Sequence, residues 1–309
     1  MQGPDTFYTG KNHMRIITRP DFDGIVCAAL IADAEAIDKP VKWVEPGDIQ
    51  KGKADIQKGD IIANLPYHEN CSLWFDHHYS NAITTRFKGS FEIAPSAAGL
   101  VYRYYRGRLK RNYDALIRQT DRIDAADLTL DEVLHPEKYI FVLLSMTISG
   151  RHKEDEPYWN LLVALLQQHK IETVMADKEV ARRCRMVKAA NSEYKIFLEK
   201  YTRMEKMVSI TDFRSLDHTP EGNRFLVYSM FPEAVVSVRI SYADKDREIV
   251  AVQAGHSIFN RHCNVNIGRM LTRFEGGGHP GAGACRFHRD KAERYIPAIL
   301  EILLKNQPH

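Results

Sequence analysis

Short apolar runs at residues 14–18, 41–44, 61–65 and 73–75 alternate with longer stretches of helical periodicity at 25–37 and 97–105. Strands that alternate with helices predict a mainly parallel sheet, because a parallel pair needs a crossover long enough to carry a helix. Ligands of such open sheets bind outside the carboxyl ends of the strands. The residues that follow positions 18, 65 and 75 are therefore expected to share one rim.

The pattern then changes. Between 158 and 219 there is neither Pro nor Gly, and Val180, Cys184, Val187, Ala190, Tyr194 and Phe197 recur at spacings of three and four. That spacing predicts long helices. Pro157 opens this region and Pro220-Glu221-Gly222 closes it; strand-like runs at 225–229, 235–240 and 248–253 follow. A final amphipathic helix over 291–305 carries Ile296, Ile299, Leu300, Leu303 and Leu304 on one face. Its apolar face either packs internally or pairs two chains into a homodimer. The expected architecture is α/β: an N-terminal domain over 1–150 with a mainly parallel sheet flanked by helices, a helical linker over 151–207, and a smaller C-terminal α/β domain over 208–309.

Composition narrows the function classes. The 309 residues hold 43 Lys plus Arg against 40 Asp plus Glu, a formal charge of +3. Any contact with nucleic acid must then be local rather than a product of global charge. Five cysteines without a CxxC pair suggest neither a disulfide framework nor a zinc ribbon, and reduced thiols of a cytoplasmic protein are expected. Asp5 and the polar residues 10–13 break any signal-peptide pattern. The densest apolar stretch, 139–148, is far shorter than the roughly 20 residues that cross a bilayer.

Chemistry-bearing residues cluster at the expected rim. Asp21 and Asp23 follow the first apolar run and precede Gly24. On extended backbone both carboxylates project to one side and suit a metal; the competing reading is that they cap a helix starting near Ile25. Asp76-His77-His78 follows the run ending at Phe75. Adjacent histidines on a strand point oppositely, so one is expected to ligate and the other to touch substrate or solvent. Asp121 and Asp124 share a helix face, either as ligands or as a solvated helix end. Gly276-Gly277-Gly278-His279 offers unobstructed backbone N–H groups that could nest an anion, or else forms a tight turn before a strand at 284–287. The basic and aromatic residues of 102–113 read as an amphipathic helix in preference to a nucleic-acid stacking track.

Taken together, Arg19-Pro20-Asp21-Phe22-Asp23-Gly24, Asp76-His77-His78 and the Gly276–Ala284 run resemble, in order and separation, the DHH phosphoesterase superfamily over nearly the whole chain. Its members include single-strand exonucleases, nanoRNases, exopolyphosphatases and family II inorganic pyrophosphatases; the Gly-Gly-Gly-His segment favours the nuclease and nanoRNase branch. The resemblance implies a catalytic domain, a helical linker and a DHH-associated domain, with substrate in the cleft. It makes Asp21 and Asp23 ligands to separate manganese ions, with magnesium as an alternative, and makes His77 a ligand to the second. His78 and His279 then contact the phosphate, with Gly276, Gly277 and Gly278 beside it. Asn64 stands where a bridging aspartate is expected, Arg19 where many relatives have histidine, and Asp121 or Asp124 completes the second site.

An amide ligates a hard cation more weakly than a carboxylate, and Arg19 adds a fixed positive charge. One ion on Asp23, His77 and Asp121 or Asp124 is therefore the expectation, with Arg19 partly replacing the other and Asp76 or Asp121 as general base. The expected function is a metal-dependent phosphoesterase acting on short oligonucleotides, dinucleotides or polyphosphate. The alternative is a catalytically impaired phosphate- or nucleotide-binding protein on the same scaffold.

Overall fold

The computed structural model describes residues 14–150 and 152–308; Asp5 and residues 10–13, which bear on a signal peptide, lie outside them. Along the chain the elements are β1 (Ile16–Thr18), α1 (Phe22–Ala34), β2 (Lys42–Trp43), α2 (Pro46–Gln50), β3 (Ile61–Ala63), β4 (Leu73–Asp76), β5 (Gly89–Phe91), α3 (Ala97–Tyr104) and α4 (Asp114–Asp124). Next come α5 (Leu130–Leu134), α6 (Ile140–Met146), α7 (Glu156–Gln168), α8 (Ile171–Ala176) and α9 (Lys178–Tyr201). The chain continues with β6 (Thr202–Glu205), β7 (Val208–Asp212), α10 (Leu226–Met230), β8 (Val236–Tyr242), β9 (Ile249–His256), α11 (Ile267–Thr272), β10 (Gly276–His279), β11 (Ala282–His288) and α12 (Ala292–Lys305). Two compact units result: one from residues up to 127 with 140–183, the other from 128–139 with 184–309.

The first unit is built on a wholly parallel sheet in the order β2-β1-β3-β4-β5. Thr18 pairs with Ala63 and Ala63 with Phe75, so the residues after β1, β3 and β4 emerge at one level. Strand β1 has β2 on one side and β3 on the other, and this reversal of order opens a crevice outside its carboxyl end. Helix α1 is apolar almost all round, with Ile25, Val26, Cys27, Ala28, Ala29, Leu30 and Ile31 fully buried. A helix of that composition needs cover on every side, and β1, α3 and α7 provide it.

The first turn of α1 starts earlier than the expected position near Ile25. Asp21 is its N-cap, and its Oδ1 accepts the Gly24 N–H at 2.8 Å. Asp23 therefore lies on the helix rather than on extended backbone, so the equal projection of Asp21 and Asp23 expected from their spacing of two does not hold. Gly24 is dictated by closeness: a Cβ there would lie 2.0 Å from the Arg19 carbonyl oxygen.

The second unit is a six-stranded sheet in the order β10-β11-β9-β8-β7-β6, antiparallel except for the parallel pair β7–β8. The apolar face of α12 packs inside this unit, with Ile296, Ile299, Leu300 and Leu303 in the same core as Val236, Val238 and Phe287. The run 225–229, expected to be a strand, lies mostly in helix α10, which buries Leu226, Val227 and Tyr228 against Tyr194, Leu198 and Phe213. Four apolar residues in a row, Phe225 to Tyr228, cannot distinguish a period of 2 from one of 3.6, and the packing decides. Gly276–His279 is likewise not an anion nest but strand β10, paired residue for residue with β11. Gly276 and Gly278 answer to crowding, since a Cβ on either would lie 2.3 Å from a carbonyl oxygen of β11, whereas Gly277 has open space; Gly268 of α11 is tight against β10 in turn, 2.2 Å from the Gly278 carbonyl oxygen.

Among the described residues no helix is long and apolar enough to cross a membrane. All five cysteines are free thiols.

Candidate active site

The carboxyl rim of the parallel sheet gathers Asp21, Asp23, Asn64, Asp76, His77 and His78, and the C-terminal turn of α4 adds Asp124. His77 sets the centre. Its Nδ1 lies 2.9 Å from the Ala94 carbonyl oxygen. A carbonyl only accepts, so Nδ1 carries the proton and Nε2 is left with a lone pair. Nε2 is buried and makes no hydrogen bond, yet it stands 3.4 Å from Asp124 Oδ2 and 3.8 Å from Asp23 Oδ2. Two ligands at about 2.1 Å from one ion stand about 3.0 to 3.4 Å apart. The three side chains offer ligand atoms that all lie within 4.8 Å of one another. Burial holds the His77 imidazole below its ordinary pKa, in the neutral form that ligates. Asp23, His77 and Asp124 thus fit a divalent cation.

Asp23 is fixed from the opposite side. Its Oδ2 and Oδ1 accept the N–H groups of Ala97 and Ala98, at 2.9 and 2.8 Å, on the first turn of α3. It is 1 % exposed. Burial, and then the neighbouring Asp21 carboxylate, push its pKa up to about 7. Without a cation the folded chain therefore holds a proton on Asp23 that the unfolded chain has already released, since the unfolded pKa is about 3.9. A raised carboxylate pKa adds stability at low pH that is lost as pH rises toward 7. Manganese should consequently raise the melting temperature more at pH 8 than at pH 6, with a proton released on binding. Equal stabilisation across that range, by thermal unfolding against a chelated control, would contradict the protonated Asp23.

Asp76 does a different job from the general base expected of it. It is wholly buried, its Oδ1 accepts from the His77 N–H at 2.9 Å and lies 2.8 Å from His78 Nδ1, and its Oδ2 accepts from Asn81 Nδ2 at 2.6 Å. Both oxygens are therefore occupied, one by the His77 backbone N–H and the His78 ring, the other by Asn81. Its hydrogen bond raises the pKa of His78, which is part exposed and so suits contact with an anion. Of the two α4 carboxylates, Asp124 joins the cluster. Asp121 Oδ1 instead accepts from the Ser96 hydroxyl at 2.6 Å, at the N-cap of α3, away from the role of ligand or base.

Around Asp21 the contacts have another character. Asn64 adopts a left-handed φ of 56°, is 2 % exposed, and donates from Nδ2 to Asp21 Oδ1 at 2.9 Å, while its own Oδ1 has no partner. Arg19 Nε lies 3.5 Å from Asp21 Oδ2 and 3.4 Å from Glu45 Oε2. Glu45, which follows β2, carried no sequence signal beyond its place after a short apolar run. Asn81, Ser96 and the Ala94 carbonyl were also missed, because their roles depend on contacts made 5 to 25 residues away.

Gly276, Gly277, Gly278 and His279 belong to the second unit, with His279 exposed at the end of β10. The stretch 102–113, expected to be an amphipathic helix, is helical only as far as Tyr104, and turns lead from there to α4; Arg103 meets Glu92, Arg108 meets Glu35, Arg111 donates to the Gln167 carbonyl, and Tyr105 and Tyr113 are buried.

No family model and no curated protein matches the sequence. Solved structures do. The pGpG-specific phosphodiesterase PggH from Vibrio is 28% identical, with a TM-score of 0.83 over 95% of this chain and 99% of that one. RecJ from Thermus thermophilus, solved with Mn2+, shares the fold at 12% identity and a TM-score of 0.55 over 96% of this chain and 52% of that one. Another exonuclease RecJ bound to manganese does so at 13% and 0.51, over 95% and 89%. With its Asp21-Phe22-Asp23 and Asp76-His77-His78 segments on the rim of a parallel sheet, the chain has a DHH-type fold.

Proposed function

We propose that this chain hydrolyses short linear oligonucleotides, dinucleotides such as pGpG foremost, with manganese or magnesium bound by Asp23, His77 and Asp124. The observation that carries the reading is the buried Nε2 of His77, stripped of hydrogen bonds and facing two carboxylates. The end-to-end likeness to a pGpG-specific phosphodiesterase supports the choice of substrate class.

When bound, the divalent ion supplies Lewis-acid charge and lowers the pKa of a water. The protein's own groups do the positioning. Ala97 and Ala98 N–H brace Asp23, and the Ala94 carbonyl fixes the His77 tautomer. His78, whose bond to Asp76 favours its charged form, is placed to donate to a non-bridging phosphoryl oxygen. In the net reaction a water oxygen bonds to phosphorus, the bond from phosphorus to the leaving nucleoside oxygen breaks, and that oxygen takes up a proton. One water is consumed per linkage.

The test is turnover of pGpG, pApA, longer RNA, single-stranded DNA and polyphosphate by the full chain with manganese, magnesium or chelator. Dinucleotide cleavage abolished by chelator is expected. Silence on every substrate, in folded manganese-loaded protein, removes the proposal.

A second reading, a binding protein without turnover, is favoured by one contact: the Asn64 amide donates to Asp21 where a bridging carboxylate is expected. Under it, pGpG binds unchanged and Asn64→Asp restores cleavage.

A further inference from the structure

Strands β4 and β5 begin beside a cavity of about 490 Å³ lined by Tyr67, Cys71, Ser72, Arg86, Phe87 and Lys88. Its size lies within the range of small-ligand sites, roughly 300 to 1,000 Å³. From its aromatic walls and its two cations we propose that this cavity binds a nucleoside monophosphate, at a site separate from the one that holds the ion. The proposal does not rest on the phosphoester reading.

The walls come first. Tyr67 and Phe87 each meet the fully buried Trp74 edge-on, with ring centroids 5.4 and 4.8 Å from it, and Phe91 stacks on the same indole at 5.1 Å. Trp74 is itself held, its Nε1 donating to the Leu65 carbonyl and its backbone N–H to that of Lys88, both at 2.9 Å. Tyr67 and Phe87 are half-buried, so each braced ring keeps surface for a planar base. Burial pushes the Cys71 thiol up to about 11. It stays neutral near pH 7 and adds apolar surface rather than negative charge.

The charge is of one sign. Arg86 and Lys88 flank Phe87 in sequence and are exposed, and among the described residues neither side chain has a hydrogen bond or an ion pair. Other cations of this unit are held: Arg103 by Glu92, Arg15 by Asp60 and Lys42 by Asp55. Two unpaired cations on one cavity favour an anion that both can reach, and the planar fork of Arg86 suits phosphate. A phosphate that also carries a planar ring uses the walls and the charge together.

Position separates this cavity from the metal centre. Ser72 leads into β4 and Lys88 into β5, whereas Asp76, His77 and His78 leave the opposite end of β4. The strand from Ser72 to Asp76 covers roughly 13 Å.

Calorimetric titration of the full chain with GMP in chelator, so that no ion recruits phosphate to the rim, should give one site per chain. Arg86→Ala combined with Lys88→Ala should weaken that site about 30-fold or more, Tyr67→Leu about 10-fold, and His78→Ala not at all. Both cations are exposed, so the double variant should melt with the native chain. Inorganic phosphate and guanosine, each one half of the probe, should bind at least about 10-fold more weakly than GMP. No bound GMP, an affinity unchanged in the double variant, or one lost with His78→Ala overturns the proposal; phosphate that binds as tightly as GMP removes the aromatic walls from it. GMP bound here by a chain that cleaves no pGpG would leave this site standing and remove the proposed function, and cleavage without such a site would do the reverse.

Discussion

Replacing His77 with alanine is expected to cut manganese affinity by at least about 100-fold and kcat/KM by about 1,000-fold or more. Affinity and rate fall together because His77 supplies the one neutral ligand atom between Asp23 and Asp124, at 3.8 and 3.4 Å. The fold should hardly notice. Nε2 makes no hydrogen bond in the native chain; the contact of Nδ1 with the Ala94 carbonyl, about 1 kcal/mol, and the edge packing of the ring on His78 are what is lost. Melting in chelator should therefore be close to that of the unmodified protein, while the stabilisation given by manganese disappears. Calorimetric titration with manganese decides the matter, and an unchanged dissociation constant for His77→Ala would place the ion elsewhere.

Asp76→Asn should damage both the fold and the reaction without touching an ion ligand. The native carboxylate takes the His77 N–H and His78 Nδ1 on one oxygen and Asn81 Nδ2 on the other, all in a wholly buried position. An amide can accept on one side only, so one buried donor must face another. The expected loss is about 3 kcal/mol of stability. The pH dependence identifies the cause. Asp76 raises the pKa of His78, so the contribution of that pair is complete below the unfolded value near 6.5 and is lost as pH rises through the higher folded value. The gap in stability between Asp76→Asn and the native chain should thus narrow between pH 6 and pH 9. A gap that is constant with pH in urea unfolding would show that His78 does not depend on Asp76.

Most of this centre was legible because strand periodicity and the location of polar residues are local properties. The runs ending at Thr18 and Phe75 are strands, and the Asp and His residues after them emerge on one rim. Other assignments failed where a contact distant in sequence decides the outcome. Asp121 and Asp124 are equivalent by spacing; only the Ser96 hydroxyl, 25 residues away, draws Asp121 off and leaves Asp124 to His77. The glycines of 276–278 looked like an anion nest, but pairing with β11 and the closeness of α11 make them an edge strand. Residues 225–229 had too few positions to reveal a helix.

By itself the sequence determined the α/β class and the carboxyl-rim placement of Asp21, Asp23 and Asp76-His77-His78, since each follows from residue type and near-neighbour spacing; Arg19 and Asn64 stood out only against the pattern of the family the chain resembles. Only the tertiary structure decided what those groups do to one another. The Asn64 amide donates to Asp21, Asp76 spends itself on the histidines, and Glu45 is drawn to Arg19 across a gap of 26 residues that no local pattern spans. Charge and hydrogen bonding act over a few ångströms of space, and the chain brings those groups within reach only by folding.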